Sequence, residues 1–326
     1  METLLQAGAP RPSTGRVWRR SWVPIAITGG ALLIALAVLL RLRALDWGRL
    51  ESAFGALGAR PLLTGVVGGF GVTALQSLRW WVVTRPVLRV RYGQAYGAIL
   101  VGGLFNAILP ALAGDLLRVQ YLAERARVSR ATLYGTELID FWTDKSGWLP
   151  AFALLAVTGS PPLWMYRAMA VMAAIAAALL AGVLLLRRRL RSVTASDGWK
   201  GRFAAGLAAS SPARLATTAL LLAALPWTWE AIVIQHAASA ADITLLPLHA
   251  FVLLTAFNLA MVVPVPAGLG VHEAASTAVL VSIGVPLERA IAFALVYHVS
   301  QLVPYVIGGA GALVARGRAS TEPATV

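Results

Sequence analysis

"FNAILPALAGDLLRV", Phe105 to Val119, is an apolar run that stops at Pro110, turns through Ala113 and Gly114, and at once sets down Asp115 and Arg118. A second stretch, "FNLAMVVPVPAGLGVHEAA", Phe257 to Ala275, repeats the plan. Each has Phe-Asn, then a proline, then Pro-x-x-Ala-Gly, from Pro110 to Gly114 and from Pro264 to Gly268. The asparagines are Asn106 and Asn258, and the Asn-to-Pro spacing is two residues longer in the second copy. Short Pro/Gly-interrupted apolar segments at matching places in two halves mark the midplane site of an inverted-repeat transporter. That reading requires the surrounding chain to lie in a membrane.

Composition supplies that condition. Of 326 residues, 58% are hydrophobic and only 13% charged, and the mean hydropathy is +0.73. A soluble domain carries roughly a quarter charged residues, so this polar surface is too small to face water all round. Several apolar runs have the ~20-residue length that spans a bilayer as a helix. They lack the short alternating segments of a barrel. The expected fold is therefore all-α: a polytopic helical integral membrane protein with about six full spans and two re-entrant or broken hairpins.

The spans are expected at Trp22–Leu40, Leu62–Val83, Leu133–Val157, Leu163–Leu186, Leu215–Ala237 and Ala290–Val314. The run Trp22–Leu40 is longer than the ~7–15-residue core of a cleaved signal, so it reads as a retained span. Two further apolar stretches, Tyr96–Leu109 and Leu245–Val263, each run into a Pro/Gly break. The chain divides into a basic tail (1–21), one transmembrane domain (22–314) and a C-terminal tail (315–326). Within that domain, halves at about 22–186 and 213–314 are joined by the basic loop 187–212.

Net charge is +14 and the pI about 11.3. The arginines gather in short segments between apolar runs, as cytoplasmic loops do, so no nucleic-acid partner is expected. They lie at the N-terminus, Arg85–Arg91, Arg125–Arg130, Arg187–Arg202 and Arg316–Arg318. Placing these in the cytoplasm puts both termini there, in the cytoplasmic membrane. The first hairpin then enters from and returns to the cytoplasm, and the second does the same from outside. No cysteine is present, which excludes disulfides and thiolate metal sites.

Three constellations carry charge into apolar sequence. Asp115 directly follows Gly114, where it can cap the helix that begins there. Arg118 is three residues on, on the same helix face. The bland reading is a cap and a snorkelling arginine. The functional one gives Arg118 a headgroup phosphate, which its planar fork suits, with Asp115 holding the guanidinium. After the second break, Gly268 and Gly270 permit close backbone approach, a helix is expected from about Val271, and Glu273 falls in its first turn. There a helix-dipole carboxylate and a headgroup ligand are both open, with His272 beside it. His272-Glu273 is not a zinc signature, since Ser276 stands where His-Glu-x-x-His needs histidine; no metal and no cofactor are expected. The third constellation is "TELIDFWTDKSGW". Glu137, Asp140 and Asp144 lie three and four apart, on one helix face expected to point inward, while adjacent Lys145 is expected to point elsewhere. Two lone charges remain inside spans: Arg79 beside Trp80 and Trp81, which either snorkels or pairs with an acidic residue, and Glu230 just after Trp227 and Trp229, a candidate partner for it.

Asn106, Pro110, Gly114, Asp115 and Arg118, with Pro264, Gly268, Leu269, Gly270 and Glu273, make the chain resemble the lysylphosphatidylglycerol synthetase transmembrane-region family from about Arg79 to Gly309. That family carries Glu-Arg before the aspartate of the acidic span, whereas Leu138 follows Glu137 here. The resemblance implies moving or presenting a lipid across the cytoplasmic membrane, with membrane lipids, anionic headgroups among them, as partners. The aminoacyl-transferase domain found in the synthetase proteins is not expected, and with it no synthesis of lysyl-phosphatidylglycerol. No nucleophile–base pair or cofactor loop is visible, so the expectation is a non-enzymatic lipid flippase with a wet chamber between its hairpins. The alternatives are a membrane-embedded transferase acting on a lipid carrier and a non-transporting scaffold for a lipid-modifying enzyme.

Overall fold

The computed structural model describes residues 46–109, 113–158, 163–194, 198–260 and 265–321. The expected span Trp22–Leu40, the tail 1–21, Pro110 and Pro264 lie outside the described residues. Among those described, the secondary structure is helical, with no strand. The first hairpin is preceded by α1 (Trp47–Leu57) and α2 (Arg60–Thr84) and consists of α3 (Tyr92–Ile108) and α4 (Ala113–Ala126). Next come α5 (Arg130–Ser146), α6 (Trp148–Thr158), α7 (Leu163–Arg189), α8 (Gly198–Ser210) and α9 (Ala213–Ser239). The second hairpin is α10 (Pro247–Ala260) and α11 (Val271–Ser282), with a 3₁₀ turn at Pro266–Gly268 before α11. The chain then runs through α12 (Leu287–Val303), a π turn (Pro304–Gly308) and α13 (Gly309–Thr321).

Helices α2, α7, α9 and the stretch Leu287–Ala315 are long and apolar enough to cross a membrane. This is a multi-pass membrane protein. Helix α7 turns Val171, Ile175, Leu184 and Leu185 outward, where only hydrocarbon suits them. It closes on Arg187, Arg188 and Arg189, cations placed at the negative end of the helix dipole. The expected span Leu133–Val157 is two helices, because Gly147 ends α5. At Gly147, α9 comes so close that a side chain would collide with Ala223.

Small residues set the packing, as they do where lipid removes any hydrophobic drive between helices. A side chain at Gly65 would collide with Ser300 of α12, and one at Gly68 with Val233 of α9. Four residues on, Gly69 faces Pro304, so α2 and α12 run parallel. Gly71 faces Trp229, so α2 and α9 run antiparallel. The Thr84 end of α2, the Ala213 end of α9 and the Val303 end of α12 therefore share one side of the bundle.

This register orients the hairpins. Helix α3 starts just beyond Thr84 and meets α4 antiparallel, Gly102 lying against Arg118 and Asn106 against Gly114. Helix α10 starts beyond Ser239, the opposite end of α9, and meets α11 antiparallel, with Phe257 stacked on His272. The two hairpins thus enter from opposite sides, as expected. The arms have 17, 14, 14 and 12 residues. At 1.5 Å per residue none exceeds about 26 Å, less than the ~30 Å hydrocarbon core. The basic segments 85–91, 125–130 and 187–191 all fall on the side where the first hairpin enters, with Arg187 reaching the Ser211 carbonyl at 3.5 Å.

Candidate functional site

Asn106 ties the first break together. Its side-chain oxygen accepts the Gly114 N–H at 2.7 Å, and its amide donates to Asp115 Oδ1 at 3.5 Å. Helix α4 already runs at Ala113, so Asp115 sits within its first turn. The capping expected of Asp115 is supplied by Asn106 instead. A side chain at Gly114 would collide with the Gly102 carbonyl, which is why the arms approach this closely.

That approach brings Arg118 under α5. Its Nη2 donates to Glu137 and, at 3.3 Å, to Asp140 Oδ2. Its Nε lies 3.6 Å from Asp115 Oδ1, and its guanidinium covers the Trp80 ring, 4.8 Å from the centroid. From α2, Arg79 forks onto Asp140, Nε to Oδ1 at 2.8 Å and Nη2 to Oδ2 at 3.2 Å, and its Nη1 reaches Asp144 Oδ1 at 2.5 Å. Asp140 is fully buried and Arg79 is 3% exposed. Arg79 lies about 7 Å of helix from the Thr84 end, and Arg118 about 12 Å from the Ala126 end. Each buried ion costs several kcal/mol to desolvate, and charge-assisted pairing inside the cluster offsets it.

Three expectations change here. Arg79 pairs with Asp140 and Asp144, not with Glu230. Glu230, half-buried on α9, makes no ion pair among the described residues. Lys145 does not point away: its Nζ sits 3.0 Å from Asp144 Oδ2, because a four-carbon side chain folds back across the 100° separating helix neighbours. The cluster holds Asp115, Glu137, Asp140 and Asp144 against Arg79, Arg118 and Lys145, so it is not a bare cation awaiting an anion. Two valences stay open among the described residues, Arg118 Nε and Glu137 Oε2, both buried without a hydrogen bond.

The second break is built differently. Ala267, Gly268 and Gly270 have φ of 53°, 72° and 83°, and α11 starts at Val271 as expected. Glu273 Oε2 accepts the Gly270 N–H at 2.7 Å. Its Oε1 meets His298 Nδ1 at 2.6 Å, while His298 Nε2 lies 2.9 Å from the Ala267 carbonyl. His272 is buried between Phe257 and His298, ring centroids 4.1 Å away on either side. Asn258 donates to the Leu254 carbonyl of its own helix at 3.0 Å, so it does not bridge this break as Asn106 bridges the first.

The family model described as the lysylphosphatidylglycerol synthase TM region matches residues 22–309. The chain belongs to this family. The match begins well before the Arg79 start expected from the motifs. No curated protein and no solved structure matches the chain. Membership places the chain among membrane proteins concerned with lipids. With Leu138 after Glu137, Arg79 and Arg118 bring both guanidinia to the acidic face from neighbouring helices.

The structure does not gather all the expected residues into one chamber. Among the described residues no hydrogen bond or ion pair joins the Arg118 cluster to the Glu273 cluster, although the 3₁₀ turn packs on α3. Three cavities, lined respectively around Trp227 and Asn258, around Arg187 and Arg191, and around His249 and Ser282, have neither Arg118 nor Glu273 on their walls. His298 and Lys145 were not expected at a site, whereas Asp144 belongs to the acidic face read from the sequence. For His298 the only signal was a histidine inside an apolar span.

Proposed function

We propose that this protein moves or presents a phospholipid or polyprenyl-linked lipid across the cytoplasmic membrane, with its basic ends and both termini in the cytoplasm. The observation that carries this reading is Arg118, held at the crossing of a membrane hairpin among carboxylates. Charged side chains at that depth are costly and mark substrate pathways. The open Arg118 Nε suits a phosphate oxygen, and the open Glu137 Oε2 suits a hydroxyl or ammonium of the same headgroup. Outward apolar faces such as that of α7 leave the acyl tails in lipid. The cluster binds rather than reacts, and no covalent step is proposed.

The test is leaflet exchange in vesicles of phosphatidylethanolamine and phosphatidylglycerol carrying fluorescent phosphatidylglycerol, phosphatidylethanolamine or polyprenyl phosphate. Arg118→Ala is expected to slow exchange of the preferred tracer by about tenfold or more, the loss of one charge-assisted contact. Arg118→Lys should fall between, since it keeps the charge and loses the fork. Equal rates in folded Arg118→Ala and wild type reject the reading in favour of a scaffold. A new lipid species formed in detergent, where no sidedness exists, rejects it in favour of a transferase.

A further inference from the structure

His298 faces two acceptors. The Ala267 carbonyl at Nε2 can only accept, so Nε2 carries a proton. At Nδ1, 2.6 Å from Glu273 Oε1, a second proton must lie between nitrogen and oxygen. A neutral imidazole facing an ionised carboxylate has one proton too few for both bonds. Whichever nitrogen lost it would set a lone pair against an oxygen. Both bonds hold the same object: one ties the 3₁₀ turn to α12, and the other ties the start of α11 to it. That turn holds Ala267 at a left-handed φ of 53°, a conformation strained for a residue with a Cβ.

We infer that Glu273 and His298 form a one-proton binding site that latches the tip of the second hairpin onto α12, and that losing this proton releases the tip. The groups around it leave the pair to itself. From α11, His272 stacks on His298 at 4.1 Å with its Nδ1 unpartnered, and a second proton there would set two imidazolium rings face to face. On α12, Tyr297 stacks on Phe257; α9 carries Glu230, which makes no ion pair among the described residues; Glu288 and Arg289 lie in the first turn of α12, away from His298. The π turn carries Tyr305 against Gly103 of α3. Helix α3, on which the tip packs, has no titratable residue from Gly97 to Ile108. The titratable residues of α2 are Arg60 and Arg79, the latter bound to Asp140 and Asp144, and that of α10 is His249, near its opposite end.

The ligand atoms of His272, Glu273 and His298 lie within 4.8 Å of one another, but the geometry favours a proton over a metal ion. The two imidazoles are stacked 22° from parallel. Their in-plane lone pairs run side by side instead of converging, and both nitrogens of His298 are already engaged. Because the tip rests on α3 of the first hairpin, the latch sets whether the two hairpins stay docked. That it governs lipid passage rests on the function proposed above; the latch itself is tested without lipid.

The chain has no cysteine, so Ser276→Cys, a fully buried position one turn after His272 on α11, gives a single thiol that maleimide reaches only when the hairpin opens. Its maleimide labelling rate in the purified protein is followed from about pH 5 to about pH 9. Rates are normalised to Ser52→Cys, an exposed position on α1, to remove the thiol's own ionisation. The normalised rate is expected to rise about tenfold with pH, the change that losing one charge-assisted hydrogen bond makes in an opening equilibrium. Glu273→Gln keeps the latch closed throughout, since its amide donates to Nδ1 while its oxygen still accepts from Gly270. His298→Arg does so by the opposite route, with donors for both acceptors at every pH. A flat profile in the Ser276→Cys parent overturns the inference, as does an equal rise in both variants or fast labelling of both at every pH. Leaflet exchange of the same proteins in vesicles is scored separately, so failure of the latch and failure of lipid passage are told apart.

Discussion

Asp140 is where the two arginines converge, taking two bonds from Arg79 and one from Arg118 with no exposure to solvent. Without its charge, two buried guanidinia would keep only Asp144, Glu137 and the 3.6 Å contact with Asp115 at the edges. Asp140→Asn is therefore expected to cost about 3–5 kcal/mol, the range for breaking a buried pair from one side. Glu124→Gln, in the exposed contact with Arg130 at 3.3 Å, should cost about 0–1 kcal/mol. Chemical unfolding in detergent micelles, followed by tryptophan fluorescence, compares the two, and equal losses would remove Asp140 from the centre of the cluster. The acidic face was legible in the sequence because spacings of three and four residues fix which side chains share a side. Its partners were not, because Arg79 is 61 residues from Asp140 and only packing decides which lone charge it meets. Glu230 was equally isolated in sequence, and it makes no ion pair among the described residues.

Two hairpins with the same Pro/Gly signature close by different means. In the first, backbone meets backbone: a methyl at Gly114 collides with the Gly102 carbonyl, whereas one at Gly102 sits 2.9 Å from Arg118 Cβ and 3.1 Å from the Gly114 oxygen. Gly114→Ala should therefore separate the arms and lower the thermal midpoint more than Gly102→Ala, which must displace Arg118 Cβ but meets no backbone atom as closely. Asn106→Ala, which frees the Gly114 N–H, is expected to cost about 1–2 kcal/mol, the worth of a helix cap. Asn258→Ala gives up only a bond within its own helix and should stay within about 0.5 kcal/mol. Matching losses at the two asparagines in an unfolding assay would argue against this asymmetry. The hairpins and their opposite entry followed from the breaks and the arginine-rich segments. The joint at Gly147 did not, since a glycine in an apolar run carries no mark of the helix that will press against it. The π turn at Pro304 was passed over for a related reason: membrane bundles re-satisfy the backbone that a proline disrupts, so the hydropathy of Ala290–Val314 runs through it unbroken.

At the scale of the molecule, α2 to α5 and α9 to α12 follow one plan in opposite directions, and α2 and α9 pack antiparallel along the line between them. In each half the helix after the break sends a charged or titratable group to the helix that follows. The roles are exchanged: a cation on α4 meets an acid on α5, and an acid on α11 meets a histidine on α12. This arrangement fits two hairpins that respond to different signals, a headgroup at the first and a proton at the second. It also requires a definite sidedness. Single cysteines at Arg91, Arg125 and Ser192 lie on the basic side, while those at Ser239 and Leu287 lie opposite. In intact cells a membrane-impermeant maleimide is expected to reach the second group and not the first, and inverted vesicles should reverse the pattern. Both arms of the first hairpin must report the same side for the inverted architecture to stand. Labelling of Arg91→Cys and Arg125→Cys from different sides would mean that the Pro110 segment crosses the bilayer, and the pairing of α2–α5 with α9–α12 would fall with it.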